Sequence, residues 1–226
     1  MALRPNTSLS GPLKEAIKGF MNNTTRGGKT AGELLAELDA DPAVVARRSE
    51  QNEARTRRVV KWRKAEAPLV AELRKVGEEV ETVWDLVNTS RPYPRAIPVL
   101  IKHLQIDYPD RVREGIARAL AVRDAKVAWD VLLELFKKDD DRAALGSKAA
   151  IGLALSAAAN DEVLDDIIGL IRDRAHGANR IALLEPLCRS AQPRASEVLE
   201  ELRNDPDLSF EVKRALRLKH RRTRSK

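Results

Sequence analysis

The feature that most constrains this chain is that, from Pro92 onward, it aligns with itself. Ala96–Leu104 (AIPVLIKHL) recurs about 32 residues later as Ala128–Phe136 (AWDVLLELF), and about 35 residues after that as Val163–Ile171 (VLDDIIGLI). Ala195–Leu202 (ASEVLEEL) supplies a weaker fourth copy. A second set of strings keeps the same register: Gly115–Leu120 (GIARAL), Ala150–Leu155 (AIGLAL), Ala182–Leu187 (ALLEPL) and Val212–Leu216 (VKRAL). Two apolar stretches per unit predict a pair of helices in each. One such pair cannot bury both of its faces, so neighbouring pairs must stack to build a continuous core. The expected fold is therefore all-α: an α-solenoid of about four helix pairs over residues 92–218, with a curved surface lined by the second helices. A stack of this kind needs covered ends. Residues 30–91 are the expected N-terminal helical cap.

Composition agrees with a helical core. Aromatic residues make up 4% of the chain, so the interior must come from aliphatic side chains and alanine, in a sequence otherwise rich in helix-forming Glu, Lys and Arg. The single cysteine, Cys188, rules out an internal disulfide and a zinc site of several thiolates, and fits a reducing cytoplasm. No run approaches the roughly 18 apolar residues of a spanning helix, and the N-terminus lacks the apolar stretch of a secretory signal. The expected location is cytoplasmic, with no membrane contact.

Residues 1–29 are rich in Asn, Thr, Ser and Gly, a composition that predicts a flexible leader. Within it Leu13, Ala16, Ile17, Phe20 and Met21 fall at helical spacing, which makes Ile17 and Phe20 candidate partner contacts on a short amphipathic helix. Thr30 can cap a helix carrying Leu34, Leu35 and Leu38. Asp41-Pro42 then reads as N-cap and first residue of a second helix running toward Ala67. Pro68 predicts a break or kink, after which Leu69, Val70, Leu73 and Val76 form an apolar face ending at Gly77. A short helix from Val83 to Val87 follows, with Thr82 as its expected cap. From Arg47 to Arg58 there is no large apolar side chain, so this length is predicted to project into solvent.

Charge is unevenly distributed. Residues 1–64 hold 13 Lys+Arg against 7 Asp+Glu, residues 65–212 hold 20 against 27, and residues 213–226 hold 8 against none. Two basic ends thus flank an acidic middle. If phosphate is the partner, the candidate contacts are Arg47, Arg48, Arg55, Arg58 and Lys61 on the basic helix 47–64, with Arg221, Arg222 and Arg224 in a basic tail at 219–226.

The clearest repeat copy runs from Pro92 to Val122. Its Ile-Pro-Val-Leu first helix is followed by Tyr108-Pro109-Asp110-Arg111-Val112-Arg113 and an Ala/Leu-rich second helix. This pattern resembles HEAT repeats of the bacterial kind, a class that phycobilin lyases share. The Trp-Leu-Gly-Tyr and Thr-Pro-Leu-His patterns of tetratricopeptide and ankyrin repeats are missing. Pro186 inside a second helix departs from the pattern and predicts a bend or a shortening there. Arg113, Lys148 and Arg180 occupy one repeat position. The resemblance implies a structural ladder between neighbouring repeats, with Asp110 and Asp141 as acidic counterparts. The alternative places Arg118, Lys148 and Arg180 on a partner-binding surface.

Catalytic signatures are weak throughout. Gly27-Gly28-Lys29-Thr30 resembles the end of a phosphate-binding loop, but Asn23 stands where the motif needs glycine and no strand precedes it. His103, His176 and His220 have no metal-ligand spacing and are expected at the surface or at helix ends. Cys188 lies on a core-like stripe, and adjacent carboxylates such as Asp165-Asp166 point apart on a helix. Trp84-Asp85 and Trp129-Asp130 invite comparison with HEAT-like DNA glycosylases, although the surrounding sequence does not match, and Trp129 aligns with the core-type positions Ile97 and Leu164. The expectation is not an enzyme, with no cofactor, no metal and no small-molecule substrate, but a protein-binding adaptor or scaffold, such as an immunity protein or regulatory subunit. The alternative is a nucleic-acid or ribosome binder using the basic ends, and a HEAT-type DNA glycosylase or lyase is the remote third reading.

Overall fold

The computed structural model describes Thr30, Gly32, Ala36, residues 40–139, residue 141 and residues 146–224, with side chains through Lys219. Ile17, Phe20, Leu34, Leu35 and Leu38 fall outside the described residues, as do the side chains of His220, Arg221, Arg222 and Arg224. Among the described residues there are ten α-helices and no strand. The chain divides into two units, residues 1–58 and 59–226.

Helix α1 (Pro42–Lys75) begins where the sequence predicts. Asp41 caps it by accepting the Ala43 amide at 2.8 Å, and Pro42 takes the first position, where its missing N–H has no intrahelical partner to lose. Every residue from 45 to 58 is exposed, as expected of a stretch that offers almost nothing to a core. The expected end at Ala67 is not observed, because α1 passes through Pro68 to Lys75. Pro68 lies on the exposed side while Leu69, Val70 and Leu73 are buried. The buried side chains hold the last two turns in place against the hydrogen bond that the proline removes. Gly77, at φ 95°, ends the helix: its amide donates to Arg74 O and that of Glu78 to Leu73 O, both at 3.1 Å, the paired bonds of a left-handed glycine cap.

The second unit continues with α2 (Trp84–Val87), α3 (Ile97–Leu104), α4 (Asp110–Ala119), α5 (Trp129–Lys138), α6 (Gly146–Ala158), α7 (Leu164–Arg172), α8 (Leu184–Arg189), α9 (Pro193–Glu201) and α10 (Ser209–Arg224). Short 3-10 segments precede α5, α7 and α8 and follow α9. The aligned first strings fall on α3, α5, α7 and α9. The second strings fall on α4, on α6, on α8 with the 3-10 turn before it, and on α10. Contacts follow this order: α4 packs on α6, α6 on the 3-10 segment Arg174–Leu183 and on α8, and α8 on α10. Leu100, Ile116, Leu132, Ile151, Ile167, Leu187 and Val212 belong to one continuous core with 0% exposure. Among the described residues no helix is long and apolar enough to cross a membrane.

Of three local features, the Thr82 cap and the separate tail differ from the sequence expectation, and the shortening at Pro186 agrees with it. Thr82 does not cap α2, whose N-cap position is Val83 and which has no side-chain cap; the Asp85 carboxylate instead accepts the amides of Glu81 and Thr82 in the turn before the helix, at 2.8 and 3.0 Å. Pro186 shortens its helix, because the chain before it winds as a 3-10 segment with Gly177 at φ 54° and Pro186 then sits in the first turn of α8, where amides lack intrahelical partners. Residues 219–224, expected as a separate tail, continue α10 to Arg224. The crossing of α4 over α2 is close enough to demand glycine: a Cβ at Gly115 would meet Val83 Cγ1 at 2.6 Å and Trp84 Nε1 at 2.9 Å.

Candidate functional site

Two of the cations expected on a partner surface are interior. Lys148, on α6, is 1% exposed. Its Nζ donates to the Asp139 carbonyl and lies 5.4 Å from the Phe136 ring centre. Arg180 is 0% exposed. Its Nε donates to Gly177 O at 2.9 Å and its Nη1 to Ile171 O at 3.1 Å. Nη1 and Nη2 also grip the two Asp205 carboxylate oxygens at 3.0 and 2.9 Å, and Nη2 reaches Asp207 at 2.9 Å. These five bonds match the five N–H groups of a guanidinium. Burial by itself would raise the Asp205 carboxyl. Hydrogen bonds from Arg180 and the Asp207 amide, with the charges of Arg180 and Arg174, outweigh that and hold it below the ordinary aspartate value. The partner-surface assignment of Lys148 and Arg180 is therefore corrected, since no partner reaches groups enclosed in this way.

The expected acidic counterparts join neighbouring elements by other bonds. Asp110 accepts the Ser147 amide at 3.1 Å at the start of α6, and the Asp141 carbonyl accepts from Asn179 Nδ2 at 2.7 Å. Two further links were missed in the sequence. Arg189 Nη2 donates to Ser156 O and Ala159 O, at 2.7 and 3.2 Å, at the end of α6. Lys219 Nζ donates to Leu187 O and Ser190 O, at 2.9 and 3.1 Å, at the end of α8. In each case a cation on one second helix satisfies the terminal carbonyls of the second helix before it. Partial burial pushes the Lys219 ammonium below its usual value. The signal for this pair was the 30-residue offset between Arg189 and Lys219, hidden by assigning Lys219 to a tail.

His103 and His176 are also interior rather than at the surface, although His103 does lie in the last turn of α3. His103 is 2% exposed. Its Nδ1 is 2.8 Å from the Tyr108 hydroxyl, and its Nε2 lies 3.3 Å from Glu72 Oε2 without hydrogen-bond geometry. His176 packs on Phe136 with ring centres 4.8 Å apart, and burial, then the Lys148 charge, lower its pKa. Trp129 is half-buried against the core and donates from Nε1 to Asp166 at 3.2 Å. Among the described residues no three His, Cys, Asp or Glu side chains converge as metal ligands.

Five cations line a set of clefts in the second unit, where α4, α6 and α8 end. A cleft of about 400 Å³ has Leu86, Tyr93, Ile97 and Val122 as its floor and Arg91 and Arg118 at its rim. It shares Asp124 with a second cleft of about 370 Å³ bordered by Arg123 and Lys126. That cleft in turn shares Asn160 and Arg189 with a third of about 240 Å³, bounded by Pro186 and Ser190. Successive clefts thus share lining residues, and the three are taken together as a groove. The Tyr93 hydroxyl donates to Ala119 O at 2.9 Å and fixes the wall, while Glu114 accepts from Arg118 Nε at 2.9 Å and orients its guanidinium. Arg91, Arg118, Arg123, Lys126 and Arg189 outnumber Asp124 and Asp161 here, so this groove is basic within an otherwise acidic stretch of sequence. An apolar floor with a cationic rim suits an extended polypeptide that carries carboxylates. Of the candidate partner residues, Arg118 alone among those described lies at this groove. The candidate phosphate contacts Arg47, Arg48, Arg55, Arg58 and Lys61 are exposed on α1.

Compared with known proteins, the chain matches no family model, no curated protein and no solved structure.

Proposed function

We propose that residues 92–218 are a stack of four HEAT-like helix pairs and that the chain is a non-catalytic, cytoplasmic protein-binding scaffold. The groove from Tyr93 to Ser190 receives an extended acidic segment of the partner. The observation that carries this reading is that the three clefts share lining residues from one to the next across the ends of α4, α6 and α8. A partner strand laid there crosses several repeats at once, which is how a stacked architecture gains contact area. Lys148 is engaged within its own helix pair, and Arg180, Arg189 and Lys219 join one pair to the next, which leaves Arg91, Arg118, Arg123 and Lys126 to meet carboxylates. Rim charges of this kind steer and select, while the apolar floor supplies affinity. A regulatory subunit or an immunity protein would use such a surface.

The test is co-purification from the native cell after nuclease treatment, comparing the wild type with Arg118→Glu. A protein partner should survive nuclease, and its recovery should fall at least about tenfold with Arg118→Glu, since tenfold is only about 1.4 kcal/mol and like charges in contact cost several. Recovery that disappears with nuclease, or is unchanged by Arg118→Glu, overturns the proposal.

A further inference from the structure

In the first unit the arginines of α1 are not spread evenly around the helix. At about 100° per residue, Arg47, Arg48, Gln51, Arg55 and Arg58 fall within an arc of about 100°. Glu50 and Glu53 lie more than about 100° from the centre of that arc. Arg57 sits on the acidic side and pairs with Glu53 at 3.0 Å. From Arg47 to Arg58 the stripe is about 17 Å long at 1.5 Å per residue, and every residue in it is exposed. Arg47 and Arg58 each make a backbone bond through Nε, at 3.3 and 3.4 Å, so the terminal guanidinium nitrogens remain available to a ligand.

We propose that this face binds the phosphate backbone of duplex DNA, independently of sequence. Three observations choose that occupant. The arc holds no apolar side chain, whereas a helix that docks on a protein presents apolar anchors at i, i+3, i+4 and i+7. Its four cations are all arginine, whose planar fork matches phosphate oxygens better than a lysine point charge does. The segment also contains no aromatic residue, so it has no platform on which the bases of a single strand would stack. A rigid helix carrying cations over this length suits the major groove of B-form DNA, which admits an α-helix, whereas the narrow major groove of duplex RNA does not. Gln51 is the one side chain in the arc suited to a base edge. One residue reads little sequence, so the binding is positional. This activity belongs to the first unit and stands or falls separately from the groove of the second.

Fluorescence polarisation with the full chain tests it, using labelled duplex DNA, duplex RNA and single-stranded DNA across a salt series. Duplex DNA should bind best, with a log-log salt slope of about −3 to −4, near −0.9 for each arginine engaged. Arg48→Gln with Arg55→Gln should weaken binding at low salt at least about tenfold and flatten the slope by about 2. Arg57→Gln with Arg63→Gln removes equal charge away from the arc and should change affinity by no more than about twofold if the stripe is the contact. Circular dichroism confirms that both pairs keep the helix. Equal losses in the two pairs, preference for single-stranded DNA or duplex RNA, or no binding at low salt overturns the proposal. So does release of an acidic protein partner by the stripe pair in the absence of any DNA binding.

Discussion

Arg180→Ala is expected to destabilise the second unit by roughly 3–5 kcal/mol, the range for removing one partner of a buried ion pair. The guanidinium is 0% exposed and the Asp205 side chain 3% exposed, so deletion leaves a carboxylate in the interior with only the exposed Arg174, at 3.6 Å, as a counter-charge. The carbonyls of Ile171 and Gly177 lose their donor as well. Arg180→Lys should recover little, because an ammonium cannot span two carboxylate oxygens and two carbonyls in one plane. Adding Asp205→Ala to Arg180→Ala should restore part of the loss, since it removes the stranded charge. Urea denaturation at neutral pH measures each step. The pH dependence has a definite sign. The Asp205 carboxyl is held low in the fold, so the stability it contributes is complete above the unfolded aspartate value of about 3.9. That contribution is lost as pH falls through the lower folded value. The gap between wild type and Arg180→Ala should therefore narrow in acid.

Phe136→Ala should cost about 3–5 kcal/mol, the range for deleting a buried aromatic side chain. Phe136 is 0% exposed and fills the space over α6 that Gly152 opens, where an added Cβ would lie 3.2 Å from the ring. The same ring covers Lys148 at 5.4 Å and His176 at 4.8 Å. Its loss should admit water to both. Burial is the chief cause of the lowered His176 pKa, so the variant should let it rise toward the ordinary histidine value of about 6.5, as read by NMR titration. Chemical denaturation gives the stability change, and a variant at exposed Glu53 should stay within about 0.5 kcal/mol of the wild type.

These two positions show which parts of the structure were legible in the sequence. The helices were, because apolar side chains at period 3.6 must face a core whatever surrounds them. Asp41-Pro42 and Gly77 were legible because a cap is a local device whose residue types are few. For Lys148 and Arg180 the structural ladder was one of two readings and the sequence could not choose, because a cation at repeat spacing has the same pattern whether it faces water or the interior. The partners that distinguish the two cases, Asp205 and Asp207, lie 25 and 27 residues beyond Arg180 and carry no periodic signal. Of the break or kink expected at Pro68 the break is not observed, because the proline lies on the exposed side and Leu69, Val70 and Leu73 hold the turns after it in the core. The groove could not be read at all. Tyr93, Arg118, Lys126, Asn160 and Ser190 come from separate loops and helix ends, and only the packing of successive helices brings them together. The arginine stripe, by contrast, was half visible: the sequence showed a basic exposed helix, and the continuous helical geometry of α1 sorted its charges onto one face.

The scaffold reading is tested most directly by amide hydrogen exchange of the protein alone and with its captured protein partner. Slowed exchange at residues 91–93, 118–126, 157–161 and 186–190, with the exposed length of α1 unchanged, is the expected result. Protection confined to α1, or spread over the second unit while the groove segments exchange as before, would contradict it.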